Sequence, residues 1–182
     1  KEEKLRGITI DIGFAYWKDN VTIIDVPGHE RFVRNMVAGV STIDLFLLVV
    51  AADDGIMPQT IEHLEILKVF GVKNGIVAIN KADLVDEEWL ELVMEETGEF
   101  LQKHGYEDIP VIPVSAVSGQ GVDRLKEVIE EHISRHSRVV LDRPFRLNVD
   151  RSFSAKGFGS IVTGTVLSSS VSVGQQLQIL PS

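Results

Sequence analysis

Three short polar segments carry residue types that could do chemistry, and each follows an apolar run typical of a strand. The first segment is Asp25-Val26-Pro27-Gly28-His29. A carboxylate at a strand end can hold Mg²⁺ directly or through water. Gly28 would let a backbone N–H approach a phosphate at the start of a helix, where the helix dipole favours anions. Taken alone, the segment is a weak signal, because a turn with a capping aspartate is the more common explanation of such residues.

The second segment, Asn80-Lys81-Ala82-Asp83, contains a carboxylate suited to guanine. Asp83 can accept hydrogen bonds from both N1–H and the 2-amino group of guanine, a pair of donors that adenine lacks. Asn80 could reach N7 of the base or brace the loop, and the alkyl stem of Lys81 could cover the face of the base. The alternative is a solvated polar turn.

The third segment is Ser115-Ala116, which follows the apolar residues 111–114. The backbone N–H of Ala116 could donate to guanine O6, although this dipeptide says little by itself. Ligands of open α/β sheets bind beyond the carboxyl ends of the strands, and all three segments come at such ends. Together they predict a guanine-nucleotide site that binds GTP or GDP.

Strands and helices alternate through the first 140 residues. The unbroken apolar run 45–51 is typical of a parallel strand covered on both faces. We expect one helix to bury Ile61, Leu64 and Leu67, and Asp86 to cap the helix after it. The pattern predicts an α/β fold with a largely parallel sheet. The predicted strands are 9–17, 21–26, 45–51, 75–79 and 111–114, and the predicted helices are about 30–40, 60–70, 86–101 and 122–133.

The pattern changes near residue 141, where all-β sequence begins. Apolar residues 145, 147 and 149 alternate with polar ones, and further strands are expected at 160–167 and 176–180. Residues 141–182 hold four basic and two acidic side chains, whereas the whole chain carries a net charge of −9. This change of sign suggests two modules, 1–140 and 141–182. About 40 residues are too few to close a barrel, so we expect only the start of one.

Length and composition exclude several classes of protein. With 182 residues, 44% of them apolar and 25% charged, the chain is globular rather than disordered. No apolar stretch approaches the ~18 residues of a membrane helix, so no membrane partner is expected. The absence of cysteine excludes disulfides and thiolate metal sites and fits a cytoplasmic protein. The net charge of −9 argues against broad binding of polyanions such as DNA.

In this order, the segments resemble the motifs of the translational GTPases. Residues 6–10, Arg-Gly-Ile-Thr-Ile, resemble the end of the first switch of that family, and residues 25–29 resemble its second switch. Residues 80–83 and 115–116 resemble its guanine-reading motifs. The resemblance covers essentially the whole chain and implies a Ras-like GTPase domain followed by the start of the family's second, barrel domain. Residues 7–14, 28–32 and 150–157 further resemble the selenocysteine-specific elongation factors within the family.

The resemblance also implies roles for the switch residues. Thr9 would ligate Mg²⁺ through its hydroxyl and sense the γ-phosphate, and Asp25 would hold Mg²⁺ through a water. The Gly28 N–H would contact the γ-phosphate, and His29 would orient the attacking water or stabilise the transition state on the ribosome. Such chemistry depends on positioning and electrostatics more than on a strong base. Ile8 would form half of an apolar gate that keeps His29 out, or would be a plain core residue.

For the second module, the resemblance implies contact with aminoacyl-tRNA. Asp150 and Arg151 could pair with the amino group and the selenolate of selenocysteyl-tRNA. A solvated ion pair at a strand edge is the alternative. One departure is the run of three serines at 168–170, where the family usually has a glycine in the turn.

The large departure from the family is a missing motif, because no G-x-x-x-x-G-K-[ST] phosphate loop occurs in the sequence. That loop, with its strand and helix, should precede residue 1. We therefore expect a piece of a longer factor, truncated at both ends, whose sheet lacks its first strand. Two alternatives stay open. One is a nucleotide-free GTPase relic that acts as a binding module, and the other is an elongation factor Tu-type or initiation-type GTPase for other tRNAs.

Overall fold

The computed structural model describes residues 12–18, 21–40, 43–135 and 143–180. Contacts between Cα atoms divide the chain into two compact units, residues 1–137 and 138–182. Within the described ranges, the first unit alternates strands with helices and the second contains an antiparallel pair of strands. None of the helices in those ranges is long and apolar enough to cross a membrane.

The order of elements in the first unit confirms the predicted α/β fold. Two 3₁₀ turns, Glu30–Phe32 and Ala82–Leu84, precede the first and third α-helices. In chain order the strands and α-helices are β1 (Gly13–Trp17), β2 (Val21–Asp25), α1 (Val33–Val40), β3 (Phe46–Ala51), α2 (Pro58–Val69), β4 (Gly75–Asn80), α3 (Glu87–Lys103), β5 (Val111–Pro113) and α4 (Val122–Arg135).

Strands β3, β4 and β5 form a parallel sheet with β4 in the middle. Ala51 of β3 lies opposite Asn80 of β4, and Ile79 lies opposite Pro113 of β5. The carboxyl ends of the three strands therefore meet at one edge. Strands β1 and β2 form a separate antiparallel hairpin, and no ladder joins it to the parallel sheet within the described ranges.

The core of the first unit is centred on β4, whose residues 75–79 are all buried. Gly75 lies directly opposite Phe46 of β3, and a Cβ at Gly75 would stand only 2.0 Å from Cζ of that ring. The Phe46 ring packs edge-on against Tyr106, with the ring centroids 5.5 Å apart. The buried Tyr106 hydroxyl donates to the carbonyl of Val72 at 3.1 Å, which satisfies its polar end. The glycine thus makes room for an aromatic pair at the amino ends of the strands.

Strand β3 is buried on one face rather than on both, so that prediction is wrong. Phe46, Leu48 and Val50 are buried, but Leu47 and Val49 are 45% and 56% exposed. Whether a face of a strand is covered depends on the elements that pack against it, which the composition of the strand itself does not specify.

The beginning of α3 confirms the predicted cap. Asp86 has extended backbone dihedrals, and its carboxylate accepts a hydrogen bond from the backbone N–H of Trp89 at 2.8 Å. An aspartate at this position satisfies a helix N–H that has no partner within the helix and places a negative charge at the positive end of the dipole. The cap fixes where the helix after the second polar segment begins.

Helix α2 differs from the prediction at its first turn. Leu64 and Leu67 are buried as predicted, but Ile61 is 42% exposed and Thr60 is buried in its place. The Thr60 hydroxyl accepts a hydrogen bond from the backbone N–H of Met57 at 3.2 Å. Because this capping contact draws Thr60 inwards, the buried face of the helix begins one residue earlier than the apolar spacing indicates.

The second unit contains β6 (Arg146–Ala155) and β7 (Gly159–Ser168), which pair antiparallel. A Cβ at Gly164 of β7 would lie 1.8 Å from the carbonyl oxygen of Asn148, so only glycine fits opposite that residue. The strand predicted at 176–180 is wrong, since these residues form no strand in the described structure. Alternating sequence does not make a strand without a neighbour to accept and donate its backbone hydrogen bonds.

Candidate guanine-nucleotide site

The second and third polar segments lie side by side at the carboxyl edge of the parallel sheet. The Ala52 N–H donates to the carbonyl of Asn80 at 2.8 Å, which continues the pairing of β3 with β4. The Ala82 N–H donates to the carbonyl of Val114 at 3.0 Å, just beyond the pairing of β4 with β5. Backbone hydrogen bonds alone therefore join the loops that follow β3, β4 and β5.

Asn80 links the two predicted guanine-reading segments directly. Its Oδ1 accepts a hydrogen bond from the backbone N–H of Ala116 at 3.1 Å. Of the two roles that the sequence left open for Asn80, the structure shows the bracing one. The Ala116 N–H is engaged in this bond, so a guanine O6 would have to share that donor.

Ser115 acts inside its own loop. The residue is fully buried, its N–H donates to the carbonyl of Gln120 at 2.9 Å, and its Oγ accepts from the Ser118 N–H at 3.1 Å. These contacts close a tight loop between β5 and α4. Ser115 thus holds Ala116 in place and does not offer its side chain to a ligand.

Asp83 presents an open carboxylate beside these loops. It lies in the 3₁₀ turn Ala82–Leu84 and is exposed. Its side chain makes no hydrogen bond or ion pair with the other residues that the structure describes. Both oxygens are therefore available to a pair of donors such as N1–H and the 2-amino group of guanine.

Lys81 is held by a residue that the sequence analysis did not single out. Its Nζ lies 2.8 Å from both carboxylate oxygens of Asp53, in the loop after β3. The hydrogen bond from Lys81 lowers the pKa of Asp53, and the same bond raises the pKa of Lys81. The two residues are 28 positions apart in the sequence, and no local sequence pattern predicts their contact.

The first polar segment follows the hairpin. Asp25 ends β2 and is exposed, and His29 immediately precedes the 3₁₀ turn Glu30–Phe32 before α1. Nδ1 of His29 accepts a hydrogen bond from the backbone N–H of Arg31 at 3.2 Å, and its ring lies edge-on to Phe32 with 6.0 Å between the centroids. Because Nδ1 is an acceptor, a neutral His29 ring carries its proton on Nε2.

His63 of α2 is the second residue missed from the sequence. It forms a hydrogen bond with the backbone of Gly28, and a Cβ at Gly28 would lie 3.6 Å from His63 Cε1, an ordinary van der Waals distance. Packing among the residues that the structure describes therefore does not impose a glycine at position 28. Burial lowers the pKa of His63, while the hydrogen bond with Gly28 opposes the shift.

Thr9 and Ile8 lie outside the described residues. No group of three or more His, Asp or Glu side chains that could hold a metal ion occurs among the residues described. Asp150 and Arg151 lie on β6 of the second unit, where the pairing with β7 shifts register between Val149 and Arg151. Such irregularities locally twist a strand and recur next to functional sites.

Comparisons with known proteins place these segments in a family. Residues 1–135 match the family described as elongation factor Tu GTP binding domain. The chain is 50% identical to the selenocysteine-specific elongation factor of Desulfomicrobium baculatum and 46% identical to that of Escherichia coli (strain K12), over 100% and 97% of its length. Elongation factor 1-alpha of Thermococcus kodakarensis is 39% identical over 100% of the chain, which spans 46% of that relative.

Solved structures agree with these relatives. The crystal structure of a bacterial selenocysteine-specific elongation factor, EF-Sec, aligns with a TM-score of 0.86 at 43% identity, over 92% of this chain and 29% of that one. Elongation factor SelB from Methanococcus maripaludis, in complex with the GTP analogue GppNHp, aligns with a TM-score of 0.87 at 36% identity, over 95% of this chain and 39% of that one.

The match is extensive for this chain and partial for its relatives. The chain spans 29% of the length of each of the two selenocysteine-specific relatives. The family match, by contrast, covers residues 1–135 of 182 and includes all three polar segments. The chain therefore belongs to the family of the elongation factor Tu GTP-binding domain.

Proposed function

We propose that this chain belongs to a translation elongation factor that binds GTP, delivers selenocysteyl-tRNA to the ribosome in the cytoplasm and hydrolyses GTP there. The observation that carries the nucleotide part is the bond between Asn80 Oδ1 and the Ala116 N–H beside the open carboxylate of Asp83. This bond joins the two loops beside the two carboxylate oxygens of Asp83. Selective recognition of guanine requires acceptors that are held at fixed positions. The selenocysteine part is supported by the names of the relatives.

The residues at the hairpin end support a role in hydrolysis. Gly28 has space where a side chain would stand, which lets its backbone N–H approach a γ-phosphate oxygen. His29 is exposed and, when neutral, carries its proton on Nε2, so it can donate to an attacking water or to a phosphate oxygen. Asp25 and Thr9 would hold Mg²⁺, which when bound neutralises phosphate charge. His29 would therefore act by positioning and electrostatics.

A titration with fluorescent GDP tests the nucleotide part. In the presence of Mg²⁺, purified protein should bind labelled GDP, and unlabelled GTP but not ATP should displace it. Displacement by both competitors would contradict guanine recognition by Asp83. A lack of binding would contradict the proposal for this chain and would favour the alternative of a nucleotide-free binding module.

Replacing Asp83 by Asn sharpens the test. The amide loses one charged acceptor and points an N–H₂ group at a guanine donor, so GDP affinity should fall about 30- to 1000-fold. Xanthine carries an oxygen where guanine has its 2-amino group, so xanthosine diphosphate should bind the variant better than GDP does. Asp108→Asn is the matched control, because Asp108 is also exposed and its φ of 57° is one that Asn tolerates. Equal effects of the two substitutions would contradict the role of Asp83.

The tRNA part needs its own comparison. With GTP bound, the protein should protect selenocysteyl-tRNA from deacylation more strongly than seryl-tRNA or cysteinyl-tRNA. Replacing Arg151 by Ala, or Asp150 by Asn, should reduce this preference and leave GDP affinity unchanged. Equal protection of all aminoacyl-tRNAs would favour an elongation factor Tu-type carrier instead.

A further inference from the structure

The bridge between Lys81 and Asp53 crosses from the loop after β4 to the loop after β3. Lys81 Nζ lies 2.8 Å from both carboxylate oxygens of Asp53 and 3.6 Å from Oδ2 of Asp54. A two-point contact fixes the ammonium in place more closely than a single hydrogen bond does. The end of the Lys81 side chain is thus held at a defined position on the carboxyl edge of the sheet.

Both ends of this bridge rest on fixed backbone. The carbonyl of Ala52 accepts a hydrogen bond from Nε1 of Trp89 at 2.9 Å, and the Gly55 N–H donates to the carbonyl of Ala51 at 2.8 Å. These contacts hold the turn that carries Asp53. On the other side, Lys81 has φ 62° and ψ 30°, a left-handed conformation uncommon for lysine, and it is followed at once by the 3₁₀ turn that contains Asp83.

Folding stability does not explain the bridge. The side chains of Lys81 and Asp53 are 42% and 37% exposed, and ion pairs in such surroundings contribute little to the stability of a fold. Ordering a long lysine side chain also costs conformational entropy. The bridge instead makes the side chain of Lys81 span two loops, one of which carries Asp83.

We infer that Asp53 is a positioning residue for guanine binding, which acts by holding the stem of Lys81 extended as an apolar cover for the base. The inference rests on the proposed function, because it requires a guanine base beside Asp83. Asp53 itself does not touch the nucleotide and acts through Lys81. Ionisation favours the arrangement, since the hydrogen bond between the two side chains lowers the pKa of Asp53 and raises the pKa of Lys81.

The experiment compares Asp53→Asn, Lys81→Met and the double variant by stopped-flow dissociation of fluorescent GDP. Asp53→Asn removes the charged two-point hold and leaves the lysine with only its longer contact to Asp54, so GDP should dissociate about two- to fivefold faster. Lys81→Met keeps an apolar stem of similar length without the charge that Asp53 binds. In that background Asp53→Asn should have no further effect, because the residue through which Asp53 acts has lost its ammonium.

A merely structural role for Asp53 would behave differently, since distortion of its loop would speed GDP release equally with or without the lysine charge. Additive effects in the double variant would therefore overturn the inference. Asp53→Glu keeps the carboxylate, so it should reverse at least half of the increase in the GDP dissociation rate. A dissociation rate as fast as that of Asp53→Asn would contradict an ionic hold.

Asp123→Asn is the matched control, since Asp123 forms a similar exposed pair with Lys126 at 2.9 Å on α4. It should leave the dissociation rate unchanged. If the unaltered protein binds GDP selectively and Asp53→Asn releases it at the same rate, the inference fails and the proposed function stands. If the unaltered protein does not bind GDP at all, both fail.

Discussion

Gly75→Ala should destabilise the first unit strongly, because its methyl group would occupy the space of the Phe46 ring. The added Cβ would lie 2.0 Å from Cζ and 2.3 Å from Cε1 and Cε2 of that ring. Carbon atoms in contact sit about 3.5–4.0 Å apart, so the ring or the strand must move by about 1.5 Å. Phe46 is 5% exposed and packs edge-on against the buried Tyr106, which leaves it no open space to enter.

The cost follows from two contributions. Overpacking a well-filled core typically costs about 1–3 kcal/mol, and turning an aromatic side chain by about 30° from its rotamer adds about 0.5–1.5 kcal/mol. We therefore expect the free energy of unfolding to fall by about 2–4 kcal/mol. Urea titration followed by tryptophan fluorescence measures it, since both tryptophans, Trp17 and Trp89, lie in the first unit.

The matched control is the same substitution where the structure leaves room. Gly98 lies inside α3, and a Cβ there would meet no atom within 4 Å. Gly98→Ala should therefore stabilise the unit by about 0.5–1 kcal/mol, the helix preference for alanine. A loss below about 0.5 kcal/mol for Gly75→Ala would refute the steric reasoning. The steric reasoning would also be refuted if Phe46→Leu did not raise the free energy of unfolding in the Gly75→Ala background. Leu lacks the outer ring atoms that the added methyl group would meet.

Two further predictions concern histidines of the first unit. His29→Ala should slow single-turnover GTP hydrolysis on ribosomes by about 10²-fold or more while GDP affinity changes less than about twofold, and a loss of binding instead would contradict its assigned role. Burial lowers the pKa of His63 below its ordinary value of 6.5, so its contribution to stability is complete above pH 6.5 and is lost as the pH falls through the folded-state pKa. His63→Gln should flatten the decline in unfolding free energy between about pH 7 and 5, and equal slopes in the two proteins would refute the burial argument.

Local chemistry made much of the fold predictable. Asp86 could be recognised as a cap because an aspartate before Glu87, Glu88 and an apolar helical face satisfies a helix N–H wherever it occurs. Positions 80–83 could be placed at a strand end because an apolar run precedes them and a parallel sheet presents such ends together. These signals depend on neighbours in the sequence, and the structure confirms them.

The predictions that failed depend on neighbours in space. Leu47 and Val49 belong to an apolar run that looks covered on both faces, but no property of the run specifies what packs on it. Ile61 fits the helical spacing of Leu64, yet the capping bond of Thr60 decides which side chain turns inwards. Polar and apolar side chains alternate at residues 176–180 as they do in strands, but these residues have no partner strand in the described structure.

The same distinction explains why part of the candidate site was missed. Asp53 and His63 form hydrogen bonds with Lys81 and Gly28, which stand 28 and 35 positions away in the sequence. Only the adjacency of β3 and β4, and the packing of α2 near the hairpin end, brings these pairs together. An acidic pair at a strand end, as at 53–54, is the one signal that could have drawn attention to Asp53.

Under the proposed function, the residues that would read the base and those that would contact the phosphates are held in place by different parts of the structure. Asn80 holds Ala116, and Asp53 holds Lys81, so the surroundings of Asp83 are fixed by contacts among loops of the parallel sheet itself. None of these contacts uses a phosphate-binding loop, the motif that the sequence does not contain. Selectivity for guanine can therefore be argued from residues 53–116 alone, because the groups that would read the base are already held in position. Under the proposed function, hydrolysis would depend instead on residues 8, 9 and 25–29. Among the residues that the structure describes, packing does not require a glycine at position 28, which fits a backbone that approaches a phosphate.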